Sequence, residues 1–448
     1  MNTHRRPGER AFVRRANGLG LVVVVSLILP GTRALAADPV VPEQGTPAPA
    51  AAPSEPLDLA ACLNLALERQ PRIAAARASL AAAEDGKRGL DSLHVAGVVD
   101  AQIPIRRRQA CLGISAAGAA LDQAEHETVY AVTRTYFTVL YAREQERVAR
   151  GVVERLGAIN DVARGAVQSG ARNVTSNDVN RTTVYLRLAQ AQQHKAAVGV
   201  KRALVALQEA IGVGPDCHID VPAGKLPQLD LQLNLDDIVC KALSRRGEMA
   251  QASLFAQTAC LEVEAQGTGI HKRMETFAAG ADIHSRPVPL GEHNEDYRPG
   301  GVLPEYPDLL VGCRPERVQH ARDLHVRAGA VTDVTRNLIA LEAQDAYHRW
   351  EEATLQVTAA KEAIDSGESL ADDLSKDLTS GLKAKVEDVV NARVLAAQAR
   401  SRYNEYLYRQ ILAVADIERI TAGGVCGGLA ELSVPRGQPA AENGNAGK

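Results

Sequence analysis

The chain has 448 residues, with 51 basic and 54 acidic side chains and a formal net charge of -3, which excludes a polycation built to bind nucleic acid. Hydrophobic residues make up 46% and charged residues 23%, a balance that excludes bulk disorder. Aromatic residues are only 3%, too few for a large core of the usual kind and suited instead to long, closely packed, alanine-rich helices.

Residues 1–36 read as a secretory signal peptide. A basic stretch, "MNTHRRPGERAFVRRANG", is followed by the apolar "LGLVVVVSLILPG" and the small-x-small site Ala34-Leu35-Ala36. The apolar run is too short to remain as a membrane-spanning helix. No cysteine follows the site directly, so a lipid anchor is not expected. Residues 37–56 form a Pro/Ala-rich linker without periodicity.

From Leu57 two amphipathic helices are predicted in "LDLAACLNLALERQPRIAAARASLAAAE", the first opened by an L-x-L step with a polar cap. Leu90 to Ile105, "LDSLHVAGVVDAQIPI", holds one strand at most. Arg106, Arg107 and Arg108 then mark a strand-to-helix boundary in water or at lipid headgroups. No proline falls between Pro104 and Pro215. Proline costs roughly 3 kcal/mol inside a helix, so this run predicts long helices. Val129, Val132, Tyr136 and Val139, then Val152, Leu156, Ile159 and Ala163, step by three and four, as in a coiled-coil-like seam. The run breaks at "SGARNVTSNDV": Gly170 can take positive φ at a helix end and Asp178 sits near the start of the returning helix, where a carboxylate is favoured. The arms are expected over about Ala110 to Ser169 and Asn177 to Ile211.

The same order recurs. "LNLDDIVCKALSRRGEMAQASLFAQTACLEVEAQ" starts at Leu233, and Met274 to Arg314 follows, with room for two strands, "ETFAAGADIHS" and a weaker "YPDLLVGCR". Pro315 to Pro435 is again proline-free within, and "SGLKAKVEDVV" repeats the turn with Gly381 and Asp388. The expected organisation is a first repeat over residues 57–225, a second over 226–425 and a disordered tail over 426–448.

The seven cysteines (62, 111, 217, 240, 260, 313, 426) are scattered, with no C-x-x-C pair. They suggest small buried residues, with room for one or two disulfides in an oxidising compartment. No H-E-x-x-H, phosphate-cradling glycine loop or nucleophile elbow occurs, so no enzyme, cofactor or metal is expected. Glu316 and His320 read as a solvated helix pair. Trp350 and the Tyr403, Tyr406, Tyr408 face read as packing.

In order, spacing and duplication, these segments resemble the TolC-type outer-membrane efflux family over about residues 57–421. The resemblance implies a mainly α fold: two tandem repeats of long antiparallel helical hairpins forming a trimeric α-barrel, with short strands for a shared outer-membrane β-barrel. It implies a homotrimeric outer-membrane channel with a long periplasmic portion, conducting passively what an inner-membrane pump and a periplasmic adaptor deliver. The turns would lie at the periplasmic tip, and Gly170, Asp178, Gly381, Asp388 and Asn391 are the tip or gate residues it points to. Asn391 stands where some members carry a second acid, so an acidic ring at that level is not expected. The short, aromatic-free first strand segment leaves a rival reading, an exported periplasmic coiled-coil scaffold that has lost a working barrel.

Overall fold

A computed structural model describes residues 56–93, 101–170, 174–214, 216–268, 273–275, 309–379 and 385–425. The signal-peptide, tail, Gly381 and Cys426 readings lie outside these residues, as do most of the linker and most of both strand segments.

Among the described residues the helices fall into two matching series. The first is α1 (Leu59–Arg69), α2 (Pro71–Ser92), α3 (Ile103–Gln168) and α4 (Ser176–Ile211), of 11, 22, 66 and 36 residues. The second is α5 (Leu235–Arg245), α6 (Gly247–Thr268), α7 (Arg314–Thr379) and α8 (Val386–Ile420), of 11, 22, 66 and 35 residues. At about 1.5 Å per residue, α3 and α7 each run for about 100 Å.

The local chemistry is duplicated as well. Asp58 caps α1 by accepting the Ala61 N–H at 2.7 Å, and Asn234 caps α5 by accepting that of Asp237 at 3.1 Å. These are the polar residues of the two L-x-L steps. Pro71 opens α2, where its missing N–H costs nothing. Gly247 opens α6, and a Cβ there would lie 2.5 Å from the Ala119 carbonyl oxygen. A bare glycine therefore lets α6 seat against α3.

Between α6 and α7, β1 (Arg273–Glu275) pairs antiparallel with β2 (Leu309–Val311), Met274 opposite Leu310. The expected first strand overlaps this pair only at Glu275. In the first repeat α2 reaches Ser92 and α3 starts at Ile103, so "IPI", expected to be strand-like, is the first turn of a helix. Pro104 explains it: proline's fixed φ suits the first turn, where an N–H would have no partner.

The central core joins both series. Leu59 and Cys62 of α1, Val132, Phe137 and Val139 of α3, Leu207 and Ile211 of α4, Ile238 of α5, Ile339 and Trp350 of α7, and Ile411, Val414 and Ile417 of α8 are all buried. Nearer the turns the packing is smaller: Ala371, Ala392 and Ala396 form a cluster, and a Cβ on Gly367 would sit 3.3 Å from the Ala396 Cα. Close backbone approach replaces aromatic area.

The two series are not packed alike. α6 and α8 each pack against both long helices, α3 and α7, whereas α2 packs chiefly on α3, and α4 mainly on α3 with smaller contacts to α1 and α8. Burial follows: α6 has nine buried residues, α2 only Ile73. On α4, Val184, Leu188, Val198 and Val205 are exposed, as are Val326, Leu341, Leu355 and Leu370 on α7.

Candidate functional site

Two hairpin turns carry the residues singled out from sequence. α3 ends at Gly170, whose φ is +76°, in the left-handed region that glycine enters without a Cβ clash. The Gly170 N–H donates to the Val167 carbonyl oxygen at 3.1 Å.

The start of α4 is closed by a reciprocal cap. Thr175 donates its N–H to Asp178 Oδ2 at 2.8 Å and its hydroxyl to the same oxygen at 2.7 Å, while the Asp178 N–H reaches back to Thr175 Oγ1 at 3.4 Å. This capping box satisfies N–H groups that the helix leaves unpaired. The backbone and hydroxyl hydrogen bonds from Thr175, with Arg181 one turn on, hold the Asp178 carboxyl below the usual carboxylate range.

At α8 the cap is half made. Asp388 Oδ2 accepts the Lys385 N–H at 3.4 Å, but a lysine at the capping position has no acceptor to offer in return. Asp388 and Asn391 are exposed. No hydrogen bond or ion pair joins Asp178 to Asp388 among the described residues. The link between the two returning helices runs instead through Arg181 of α4 and Glu387 of α8, which form an ion pair. Sequence reading missed this pair. The only signal was positional: counted from each N-cap, Arg181 occupies the place of Asn391, so the repeat is charged on one side and neutral on the other. Beneath the pair Leu156, Ala163, Val386 and Val390 are buried together, so α8 rests on α3 close to its turn.

At the opposite end of α3 the three consecutive arginines are not all in solvent: Arg108 is exposed, Arg107 is half-buried and Arg106 is buried. Arg106 is buried and ion-paired with the fully buried Glu262 of α6, which also accepts from Gln109 Nε2 at 2.9 Å and Gln266 Nε2 at 2.7 Å. Arg107 donates to the Leu90 and Leu93 carbonyl oxygens at 3.2 and 3.3 Å, placing a cation on the C-terminal end of α2, where the helix dipole favours it. Arg108 pairs with Glu264 at 3.3 Å. Arg317, which opens α7 as Arg106 opens α3, is likewise buried and donates to Gln266 Oε1 at 3.1 Å and the Gly312 carbonyl oxygen at 2.7 Å. Buried arginines at both helix starts thus bind the two series through α6.

The other sequence-picked side chains are structural. Glu316 Oε2 accepts the Cys313 N–H at 2.7 Å and so caps α7. Trp350 is core, and Tyr408 stacks on Tyr141 with ring centres 4.7 Å apart. The cysteines differ from expectation. Among the described residues six are free thiols, and only Cys62 is buried, while Cys111, Cys240, Cys260 and Cys313 are exposed. No group of three or more His, Cys, Asp or Glu side chains among the described residues is placed to hold a metal, and no described helix is long and apolar enough to cross a membrane.

No protein-family model and no curated protein matches the chain. Solved structures do. The chain is similar to the CmeC outer membrane channel of Campylobacter jejuni, with 13% identity and a TM-score of 0.65 over 82% of this chain and 86% of that one. It is also similar to the outer-membrane channel OprN, with 13% identity and a TM-score of 0.66 over 82% and 90%. The open state of the Neisseria gonorrhoeae MtrE outer membrane channel matches with 14% identity and a TM-score of 0.63 over 82% and 89%. The chain therefore has the TolC-type outer-membrane channel fold.

Proposed function

We propose that this chain, folded as the TolC-type channels are, is the outer-membrane channel subunit of a tripartite export system. It is homotrimeric and non-enzymatic, and it conducts passively what a pump and a periplasmic adaptor deliver. The observation that carries the reading is the agreement in fold over 82% of the chain together with the matched 66-residue helices. A pair of hairpins about 100 Å long is long enough to make a tunnel wall across a compartment.

The asymmetry between the two series supports a ring of copies. Within the chain α6 and α8 lie between α7 and α3. Repeating that step places α2 and α4 between their own α3 and the α7 of a second copy. The side chains left open fit that arrangement: Leu188, Val198 and Val205 on α4, and Leu341, Leu355 and Leu370 on α7, are large apolar groups in water.

The tips are the periplasmic gate of this reading, with Arg181 and Glu387 as the bond that holds α4 against α8 within a chain, and Gly170, Asp178, Gly381, Asp388 and Asn391 around it. The strands β1 and β2 contribute to a barrel shared by the copies. The scaffold reading rests on one observation, that Ser92 and Ile103 bound the first-repeat gap. That gap is roughly one membrane strand long, and an open strand edge cannot stand in lipid.

Single-channel recording of the detergent-purified mature protein in a planar bilayer decides between them. Stable conducting steps of one trimer unit support the channel. Protein that remains helical yet never inserts overturns it in favour of the scaffold.

A further inference from the structure

Between the tip cluster and the central core, α3, α7 and α8 and the segment joining the two series enclose a cavity of about 680 Å³. Five cationic side chains line it. Two are spoken for: Arg147 pairs with Glu144 at 2.6 Å and Arg400 pairs with Glu368. The other three, Arg155, Lys225 and Lys361, come from three separate segments, and none has a hydrogen-bond or ion-pair partner among the described residues. Asp365 is the one remaining acid, so the cavity keeps an excess of positive charge.

The wall behind these cations adds a second, independent feature. Leu226, Ile364 and Leu407 line the cavity as well and are buried and apolar, and Asn404, only 8% exposed, stands among them. Unpartnered cations and an apolar wall beside them suit one kind of guest.

We propose that this cavity binds a small organic anion: a sulfonate, carboxylate or phosphate carried on an apolar body. The acidic group meets Arg155, Lys225 and Lys361, and the apolar body lies against the wall that holds Leu226, Ile364 and Leu407. The source is a soluble anion rather than a lipid headgroup. Glu144 lies about 60 Å along α3 from Ile103, at the far side of the central core from the strand pair. All the walls belong to one chain, so the site stands whether or not the protein conducts.

The test is calorimetric titration of the mature full-length protein in a non-ionic detergent with 2-naphthalenesulfonate, and with 2-naphthalenemethanol as its uncharged counterpart. The expected result is one sulfonate per chain, bound at least tenfold more tightly than the alcohol. Combining Arg155→Gln, Lys225→Gln and Lys361→Gln should weaken it at least tenfold; these are exposed side chains, so unchanged far-ultraviolet dichroism and melting will confirm the fold. Asn404→Asp, which sets a carboxylate against the anion, should weaken it further. Equal affinity for sulfonate and alcohol, or an unchanged sulfonate affinity in the folded triple variant, overturns the proposal. Because titration needs no membrane insertion, a failed bilayer recording leaves this result readable.

Discussion

Arg419 of α8 donates through Nη1 to Glu127 Oε1 of α3 at 3.1 Å, joining residues 292 positions apart. The same guanidinium pairs with Asp416 at 2.6 Å and with Glu342 of α7, and it lies 5.3 Å from the centre of the Tyr130 ring. Arg246, between α5 and α6, reaches Glu342 and Glu248 from the other side. One buried ionic network therefore ties α3 and α7 to the end of α8 and the α5–α6 junction. Truncating one member of a buried network leaves charge uncompensated and costs about 3–5 kcal/mol. Arg419→Met should destabilise the chain by about 3 kcal/mol, since Arg349 and Arg246 remain as partial partners. Guanidinium melts followed by helix dichroism will read the loss.

The same network sets an acid limit. Burial pushes the Asp416 carboxyl up, but Arg419 and Arg349 outweigh it and hold the group below the usual carboxylate range. A carboxyl depressed in the folded state contributes stability that is complete above its unfolded value and is lost as pH falls through the folded one. The melting temperature should therefore decline as pH drops below the ordinary carboxylate range, and decline less steeply in Asp416→Asn. Parallel slopes for the two proteins would remove Asp416 from the account.

Gly170 and Gly212 make a controlled pair. Both have positive φ, +76° and +81°, so alanine at either costs about 1–2 kcal/mol of backbone strain. At Gly170 an added Cβ meets nothing within 4 Å, whereas at Gly212 it would lie 2.8 Å from the Gln70 Cα. Gly212→Ala should cost at least 1 kcal/mol more than Gly170→Ala, because the α4 end must move away from the α1–α2 corner. Chemical melts of the two variants side by side measure the difference.

The α4 cap should be visible in amide exchange. Thr175→Ala removes the hydroxyl that serves Asp178, a loss of about 1 kcal/mol for an N-cap, and should speed exchange in the first turn of α4 while leaving α8 unchanged. Asp178→Asn should do the same. In the unaltered protein that protection should fall as pH drops through the depressed Asp178 value, since protonation removes the charge that strengthens the Thr175 hydrogen bonds.

On the proposed channel reading, the Arg181–Glu387 ion pair should bear on conduction. If Arg181 and Glu387 hold the entrance, Glu387→Lys should open it and raise single-channel conductance severalfold. Adding Arg181→Glu to Glu387→Lys restores the pair in reverse and should return conductance towards its original level. An unchanged conductance in both variants would confine the pair to a structural role. Both residues are exposed to solvent, so the fold itself should be little affected.

Much of this protein was legible from local chemistry. Apolar steps of three and four, the proline-free runs, the L-x-L caps at Asp58 and Asn234, the glycine at the end of α3 and the carboxylate of Asp178 each follow from forces that act within a few residues. The duplication was legible for the same reason, since each local signal is written twice. The TolC-type likeness rested on that order, and the fold bears it out.

What only the tertiary structure decided depends on how distant helices align. "IPI" is β-like as a tripeptide, but Pro104 lies where a helix can begin, and packing against α6 makes it one. Arg106 looked like one of three surface cations, yet it is buried because Glu262, with Gln109 and Gln266 around it, supplies both charge and hydrogen bonds. The Arg419 network, the Arg181–Glu387 link and the cation-lined cavity each need side chains from elements far apart in sequence. Their pairing is fixed by the register of one long helix against another, and a periodic pattern leaves that register undetermined. Sequence set the elements and their two-fold order; contact between them decided which charges are buried, which are paired and which are left free to bind.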